Sequence, residues 1–110
     1  MHEVVIMQEA VRLAAEAAGG RRVRTLRLRI GVLSGVVPEA IRFAFDVVTR
    51  DTLAAGAALE IESVPAVAWC AACAAEFPPA DFFSECPRCR TVNGGLRRGR
   101  EMEIASVELE

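Results

Sequence analysis

The chain has 110 residues, a length that suits one compact domain with at most a small added module. Its 15 acidic residues and 13 basic residues, all of them arginine, give a net charge of −2. This balance does not favour a polyanion or a membrane as the partner of the whole chain. The start lacks the basic region of a secretory signal, and no run approaches the ~20 apolar residues of a membrane span. We therefore expect a cytoplasmic protein, in which paired cysteines more often bind metal than form disulfides.

The first predicted element is a helix from about His2 to Ala18. Apolar residues recur there at helical spacing, and Gly19-Gly20 provides the stop. The predicted buried face consists of Ile6, Ala10, Leu13, Ala14 and Ala17.

A half-buried strand is predicted next, from Val23 to Ile30, because apolar and polar residues alternate there. After a turn, Pro38 suits the first position of a second helix. Its predicted buried stripe comprises Ile41, Ala44, Phe45 and Val48. A second alternating strand contains Leu59 and Ile61 and ends near Pro65.

Residues 66–100 differ in character, with all four cysteines and too little regular patterning to predict a core of their own. Strand alternation resumes from Met102 to Leu109, and its phase shift near Ala105-Ser106 predicts a bulge. We expect this last strand to return to the first sheet. The predicted fold class is α+β (mixed α/β), a three-stranded sheet covered by two helices. Residues 1–65 and 101–110 form this domain, and residues 66–100 are inserted as a metal-binding domain.

Two Cys-x2-Cys pairs, Cys70 with Cys73 and Cys86 with Cys89, indicate a tetrahedral all-sulfur site of the zinc-ribbon type. Because protein sulfur fills all four positions, the predicted Zn²⁺ is structural. Iron is chemically possible with the same ligands. A redox-active pair is the other alternative, but Pro87 lies inside the second pair and no long helical pattern follows either pair.

Structural zinc typically contributes an apparent ~10–16 kcal/mol, whereas a whole domain is stable by only ~5–15 kcal/mol. We therefore expect residues 66–100 to be disordered without metal. The aromatic residues predicted to pack around the cysteine turns as core are Trp69, Phe77, Phe82 and Phe83.

The only histidine is His2. The α-amine of Met1, the backbone nitrogen and imidazole of His2 and the backbone nitrogen of Glu3 can together provide a planar set of nitrogen donors. Such donors suit Ni²⁺ or Cu²⁺. A histidine at position 2 is a weak signal alone and needs support from the rest of the chain.

Several short motifs, in order along nearly the whole chain, resemble those of the HypA/HybF family. They are the start Met1-His2-Glu3, the turn Gly31-Val32-Leu33-Ser34-Gly35-Val36, the helix start Pro38-Glu39-Ala40, the pair Cys86-Pro87-x-Cys89 and the closing Gly99-Arg100-Glu101-Met102-Glu103-Ile104. The combination is more specific than any single motif.

The resemblance implies a non-enzymatic nickel metallochaperone for [NiFe]-hydrogenase maturation. It implies nickel at the Met1 amine, His2 and the Glu3 backbone, and structural zinc on Cys70, Cys73, Cys86 and Cys89. The implied partners are the GTPase HypB and the hydrogenase large-subunit precursor. Some members of the family also serve urease.

The main alternative is a zinc-ribbon adaptor for nucleic acid or protein. Five arginines make the second half of residues 66–100 basic, namely Arg88, Arg90, Arg97, Arg98 and Arg100. No aromatic residues are interleaved with them to stack bases, and the remaining chain is acidic. A redox or electron-transfer protein is a second alternative. An enzyme is disfavoured, because no nucleophile–base pair stands out.

Overall fold

The computed structural model describes residues 3–81, 84–92 and 95–110. These residues form two three-stranded sheets, with strand orders β2-β1-β6 and β4-β3-β5. The elements are α1 Glu3–Ala18, β1 Val23–Gly31, α2 Pro38–Val48, β2 Ala58–Val64, β3 Val67–Cys70, β4 Ala75–Phe77, β5 Leu96–Arg98 and β6 Met102–Leu109. The predicted α+β fold class is confirmed. Within the described residues, no helix has the length and apolar character needed to cross a membrane.

The first sheet is built around β1, which is parallel to β2 and antiparallel to β6. The last strand therefore returns to the first sheet, as predicted. Leu28 faces Ile104 and Arg27 faces Ser106, so Ala105 has no partner in the register. This extra residue is the predicted bulge, and it is why the alternation of β6 changes phase.

One face of the first sheet forms the main core. Leu26, Leu28 and Ile30 of β1 are buried there against α1 and α2. The opposite face carries arginines that reach glutamates on the neighbouring strands. Arg27 contacts Glu60 at 2.6 Å, and Arg29 contacts Glu62 at 3.1 Å and Glu103 at 3.3 Å. Because these pairs are exposed, each adds little stability, and the apolar face carries the fold.

The buried face of α1 is rotated from the prediction. The buried residues are Met7, Ala10, Val11, Ala14 and Ala18. Ala10 and Ala14 were predicted correctly, and Ile6 packs against the core at its edge. Leu13, which is 42% exposed, and Ala17 were predicted wrongly. The helix carries apolar residues on two overlapping faces, and packing against α2 selects the one with Met7 and Val11.

The second sheet has a small core of its own, so the expectation that residues 66–100 lack such a core was wrong. Ala68, Cys70, Phe77 and Cys86 are buried together. Its strands have only three or four residues, which is too short for alternation to be visible, and two cysteines supply part of the core.

The predicted packing of the aromatic residues holds for Phe77, which is buried. Trp69 is only half-buried, and the Arg97 guanidinium lies 4.0 Å from the centre of its ring. A cation over an aromatic face is a stabilising arrangement at such a surface. Phe82 and Phe83 lie outside the described residues.

Candidate metal centre

The four cysteines lie on two turns that face each other. Cys70 ends β3, and Cys73 lies on the turn into β4. The second pair lies in a turn closed by the bridge between Glu85 and Val92. Within this turn the Cys86 amide donates to the Thr91 carbonyl at 2.8 Å, and the Arg90 amide donates to the Cys86 carbonyl at 2.9 Å. These bonds fold the turn so that its sulfurs point to the first pair.

The sulfur atoms form one compact cluster. All four Sγ atoms lie within 4.8 Å of one another. The Cys70–Cys89 separation is 3.5 Å and the Cys73–Cys86 separation is 3.9 Å. All four cysteines are free thiols. Sulfurs around a tetrahedral Zn²⁺, with bonds near ~2.3 Å, are about 3.8 Å apart, so this donor set fits zinc.

The two turns share a backbone device. The residue after each second cysteine, Ala74 or Arg90, has a left-handed conformation, with φ of 53° and 64° respectively. This conformation is uncommon for residues with a side chain. It reverses the chain directly behind each pair, which brings both cysteines of the pair to one side.

Hydrogen bonding keeps two of the thiols acidic. The Thr91 hydroxyl, 3.3 Å from the Cys89 sulfur, and the Thr91 backbone amide lower the pKa of Cys89 to about 6. The backbone amides of Cys89 and Arg88 lower the pKa of Cys86. These two sulfurs therefore favour the thiolate form that binds metal.

The other two thiols have raised pKa values. Neighbouring Cys89 and Cys70 thiols raise the pKa of Cys73 to about 12. The Cys73 amide lowers the pKa of Cys70, but burial and the neighbouring Cys89 and Cys86 thiols outweigh it and raise the pKa overall. Four thiols this close cannot all ionise without a cation, which is the electrostatic pattern of a metal site.

The proposed nickel ligands are placed only in part. Met1 and His2 lie outside the described residues. Glu3 is the first residue of α1 and is half-buried. The structure therefore brings together the four predicted zinc ligands, whereas the nickel ligand set stays a prediction.

Sequence reasoning missed Thr91 as a partner of the cluster. Its position two residues after Cys89 was the available signal. The arginines of the second half were read as a basic surface, but Arg98 lies 3.3 Å from Glu76 and Arg90 lies 4.0 Å from Glu85. These acidic neighbours reduce the positive potential that a phosphate backbone would meet.

A small α+β unit joined to a four-sulfur cluster defines a metal-binding protein. The family described as "Hydrogenase/urease nickel incorporation, metallochaperone, hypA" matches residues 1–109. The chain belongs to this HypA family, a non-enzymatic family of nickel-incorporation metallochaperones for hydrogenase maturation.

The similarity to related proteins extends over the whole chain. The chain is 46% identical over 110 residues to the hydrogenase maturation factor HypA of Geobacter metallireducens, with all of both chains covered. It is 46% identical over 112 residues to the factor of the same name from Picosynechococcus, with 99% of each chain covered.

Two solved structures share the fold. A HypA protein in solution has a TM-score of 0.74 at 24% identity and covers 100% of this chain and 97% of its own. The nickel metallochaperone HypA of Helicobacter pylori has a TM-score of 0.69 at 23% identity. The match covers 99% of this chain and 97% of the Helicobacter pylori chain.

Proposed function

We propose that this chain binds Ni²⁺ at its N-terminus and delivers it to the hydrogenase large-subunit precursor. The ligands are the Met1 amine, the backbone nitrogen and imidazole of His2 and the backbone nitrogen of Glu3. The observation that carries the proposal is the match to a nickel-incorporation family over residues 1–109, which includes these three residues. Delivery takes place in the cytoplasm together with the GTPase HypB.

Nickel is cargo in this account, so transfer occurs by ligand exchange. The α-amine and the imidazole bind metal only when deprotonated. Protonation of His2, or movement of the chain end when the precursor docks, therefore weakens binding. A chain terminus moves at low energetic cost, and a site built there suits release to an acceptor.

We further propose that Cys70, Cys73, Cys86 and Cys89 hold a structural Zn²⁺. Bound zinc would offset two of the four thiolate charges and link the two turns. The observation that supports this is the sulfur cluster, with separations of 3.5 and 3.9 Å across the pairs. No fifth position is needed, because the four sulfurs complete a tetrahedron.

Residues 66–100 then form a zinc-dependent domain, and residues 1–65 with 101–110 form the nickel-binding domain. The separate cores of the two sheets support this division. Removal of zinc with a chelator should expose the amides of β3, β4 and β5 to hydrogen exchange, while those of β1 stay protected. Equal loss of protection in both sheets would contradict the division.

The test of delivery is complementation of a bacterial strain that lacks its own nickel-incorporation factor. The untagged chain should restore hydrogenase activity, and His2→Ala should lose most of it at limiting nickel. Excess nickel in the medium should partly rescue the variant, because the defect is in supply. Equal protein level and zinc content in both strains are the controls. Full activity with His2→Ala would overturn the N-terminal nickel site.

A further inference from the structure

Arg97 is the extra residue of a β-bulge in β5, an edge strand of the second sheet. The residues on either side of it pair with consecutive residues of β3, Ala68 and Val67, and the register leaves Arg97 without a partner there. A bulge redirects the side chain of its extra residue, and bulges are common beside functional sites. Here the Arg97 guanidinium lies 4.0 Å from the centre of the Trp69 ring. The bulge therefore accompanies a cation stacked on an aromatic ring.

Stacking occupies the face of the Arg97 guanidinium and leaves its edge open. The N–H donors of a guanidinium lie in its plane, as a fork that matches a carboxylate. Within the described residues, no carboxylate lies within ion-pair distance of Arg97 or Arg100, whereas Arg98 contacts Glu76 at 3.3 Å. A side chain already held by a ring loses less freedom when it binds. Arg97 is thus a preorganised donor for an anion from outside.

Three arginines share one groove of about 220 Å³ beside this stacked pair. The groove is lined by Arg97, Arg98, Arg100, Leu96 and Glu101. The backbone between the arginines is fixed at buried Gly99. Its carbonyl accepts from the Leu33 amide at 2.7 Å, and its amide donates to the Glu101 carboxylate at 2.7 Å. The three guanidinium groups therefore extend from a rigid segment.

Charge and size decide what this groove can bind. Three guanidinium groups outnumber the one carboxylate in its lining, which favours an anion. Its volume lies below the ~300–1,000 Å³ of small-molecule sites, but a carboxylate side chain is small. Single-stranded nucleic acid uses open aromatic faces to stack its bases, and Arg97 already covers a face of Trp69. The net charge of −2 also disfavours a polyanion.

We propose that this arginine groove is a docking site for an acidic segment of a partner protein. Carboxylates of neighbouring Asp or Glu residues in that segment pair with the guanidinium edges of Arg97 and Arg100. The groove lies in the second sheet and uses none of the nickel ligands. The inference therefore goes beyond the proposed function and is tested separately from it.

The chain itself contains a reporter for this site. Trp69 is the only tryptophan, and there is no tyrosine, so the emission of Trp69 reports on the groove. Zinc-loaded full-length protein is titrated with hexaglutamate, and hexaglutamine is the uncharged control. Hexaglutamate should bind saturably and change the emission, whereas hexaglutamine should not. The anisotropy of rhodamine-labelled hexaglutamate gives the affinity independently of Trp69.

Variants then assign the binding to the groove. Arg97→Ala and Arg100→Ala should each weaken hexaglutamate binding about five-fold or more, because each removes charge-assisted hydrogen bonds. Arg97→Lys keeps the charge but loses the planar fork, and should bind more weakly than wild type. The matched control is Arg50→Ala, which removes an exposed arginine after α2 and should stay within about two-fold of wild type. Zinc content is measured in every variant, and Arg100→Ala keeps the test valid if Arg97→Ala loses zinc.

Four results would overturn the proposal. The first is hexaglutamate that does not bind saturably, and the second is an equal loss of affinity in Arg50→Ala and Arg97→Ala, which would indicate long-range charge alone. The third is hexathymidylate that binds through Arg97 more tightly than hexaglutamate, which would make the partner a nucleic acid. The fourth is self-association that sedimentation detects in wild type and not in Arg97→Ala, which would make the occupant a second copy of this chain.

Discussion

The Thr91 hydroxyl lies 3.3 Å from the sulfur of Cys89, the one exposed cysteine of the cluster. This contact and the Thr91 amide lower the pKa of Cys89 to about 6. The sulfur most accessible to water is thus also the one most readily ionised.

Thr91→Val should therefore make the zinc site more sensitive to acid. Zinc binding needs the thiolate, and a lowered pKa preserves the thiolate to lower pH. Loss of the hydroxyl raises that pKa, so the midpoint of zinc release should move upward by about half a pH unit. Release to a chromophoric chelator between pH 4.5 and 7 measures this.

The control is Thr25→Val, the same chemical change on β1, far from the cluster. Its release midpoint should match wild type. A Thr91→Val midpoint that also matches wild type would contradict a contribution of the Thr91 hydroxyl to the acidity of Cys89.

Zinc rebinding to the stripped protein should release about four protons at pH 7. In a disordered segment each thiol has its ordinary pKa near ~8.5 and is protonated at this pH. In a preassembled cluster Cys89, with a pKa of about 6, would already be ionised, and at most about three protons would leave. Calorimetry in two buffers of different ionisation enthalpy gives the count. A value of three or less would contradict zinc-dependent folding.

Substitution of two leucines tests which residues form the core. The sequence alone places both on an apolar face. Leu28 is 0% exposed, whereas Leu13 is 42% exposed. Leu28→Ala should lower the free energy of unfolding by about 2–5 kcal/mol, because it leaves a cavity under both helices. Leu13→Ala should cost within about 0.5 kcal/mol. Denaturant unfolding measures both, and a large loss at Leu13 would restore the face first predicted for α1.

Nickel affinity should fall steeply in mild acid. An imidazole and an α-amine have reference pKa values near ~6.5 and ~7.7–8.0 in model peptides. Both must be deprotonated to bind, so affinity should drop about tenfold or more between pH 7.5 and 6.0. Competition titrations at four pH values measure this, with zinc content checked at each. A flat profile would exclude both groups as ligands.

The sequence predicted those features that have a periodic or spaced signature. The alternation of apolar and polar residues predicted β1 as a half-buried strand, and the break in the alternation of β6 predicted the bulge that the structure places at Ala105. The cysteine spacing predicted that the two pairs would come together. Each of these signals is local, because neighbouring residues in the chain determine it.

The remaining features depend on contacts through space. The face of α1 is ambiguous because alanines occupy both possible stripes. Packing against α2 and the first sheet decides between Ile6 with Leu13 and Met7 with Val11. The backbones of Gly31 and Gly99 approach each other closely although the two residues are far apart in sequence. No local pattern in the sequence predicts this contact.

The central claim, one nickel ion at the N-terminus beside one structural zinc, is tested most directly by native mass spectrometry. Ni²⁺ is titrated into untagged, zinc-loaded protein with an intact Met1, in wild type and in His2→Ala. The account predicts one nickel added to one retained zinc in wild type, and no nickel at the same concentration in the variant. Equal nickel binding by both proteins, or nickel that displaces the zinc, would contradict it.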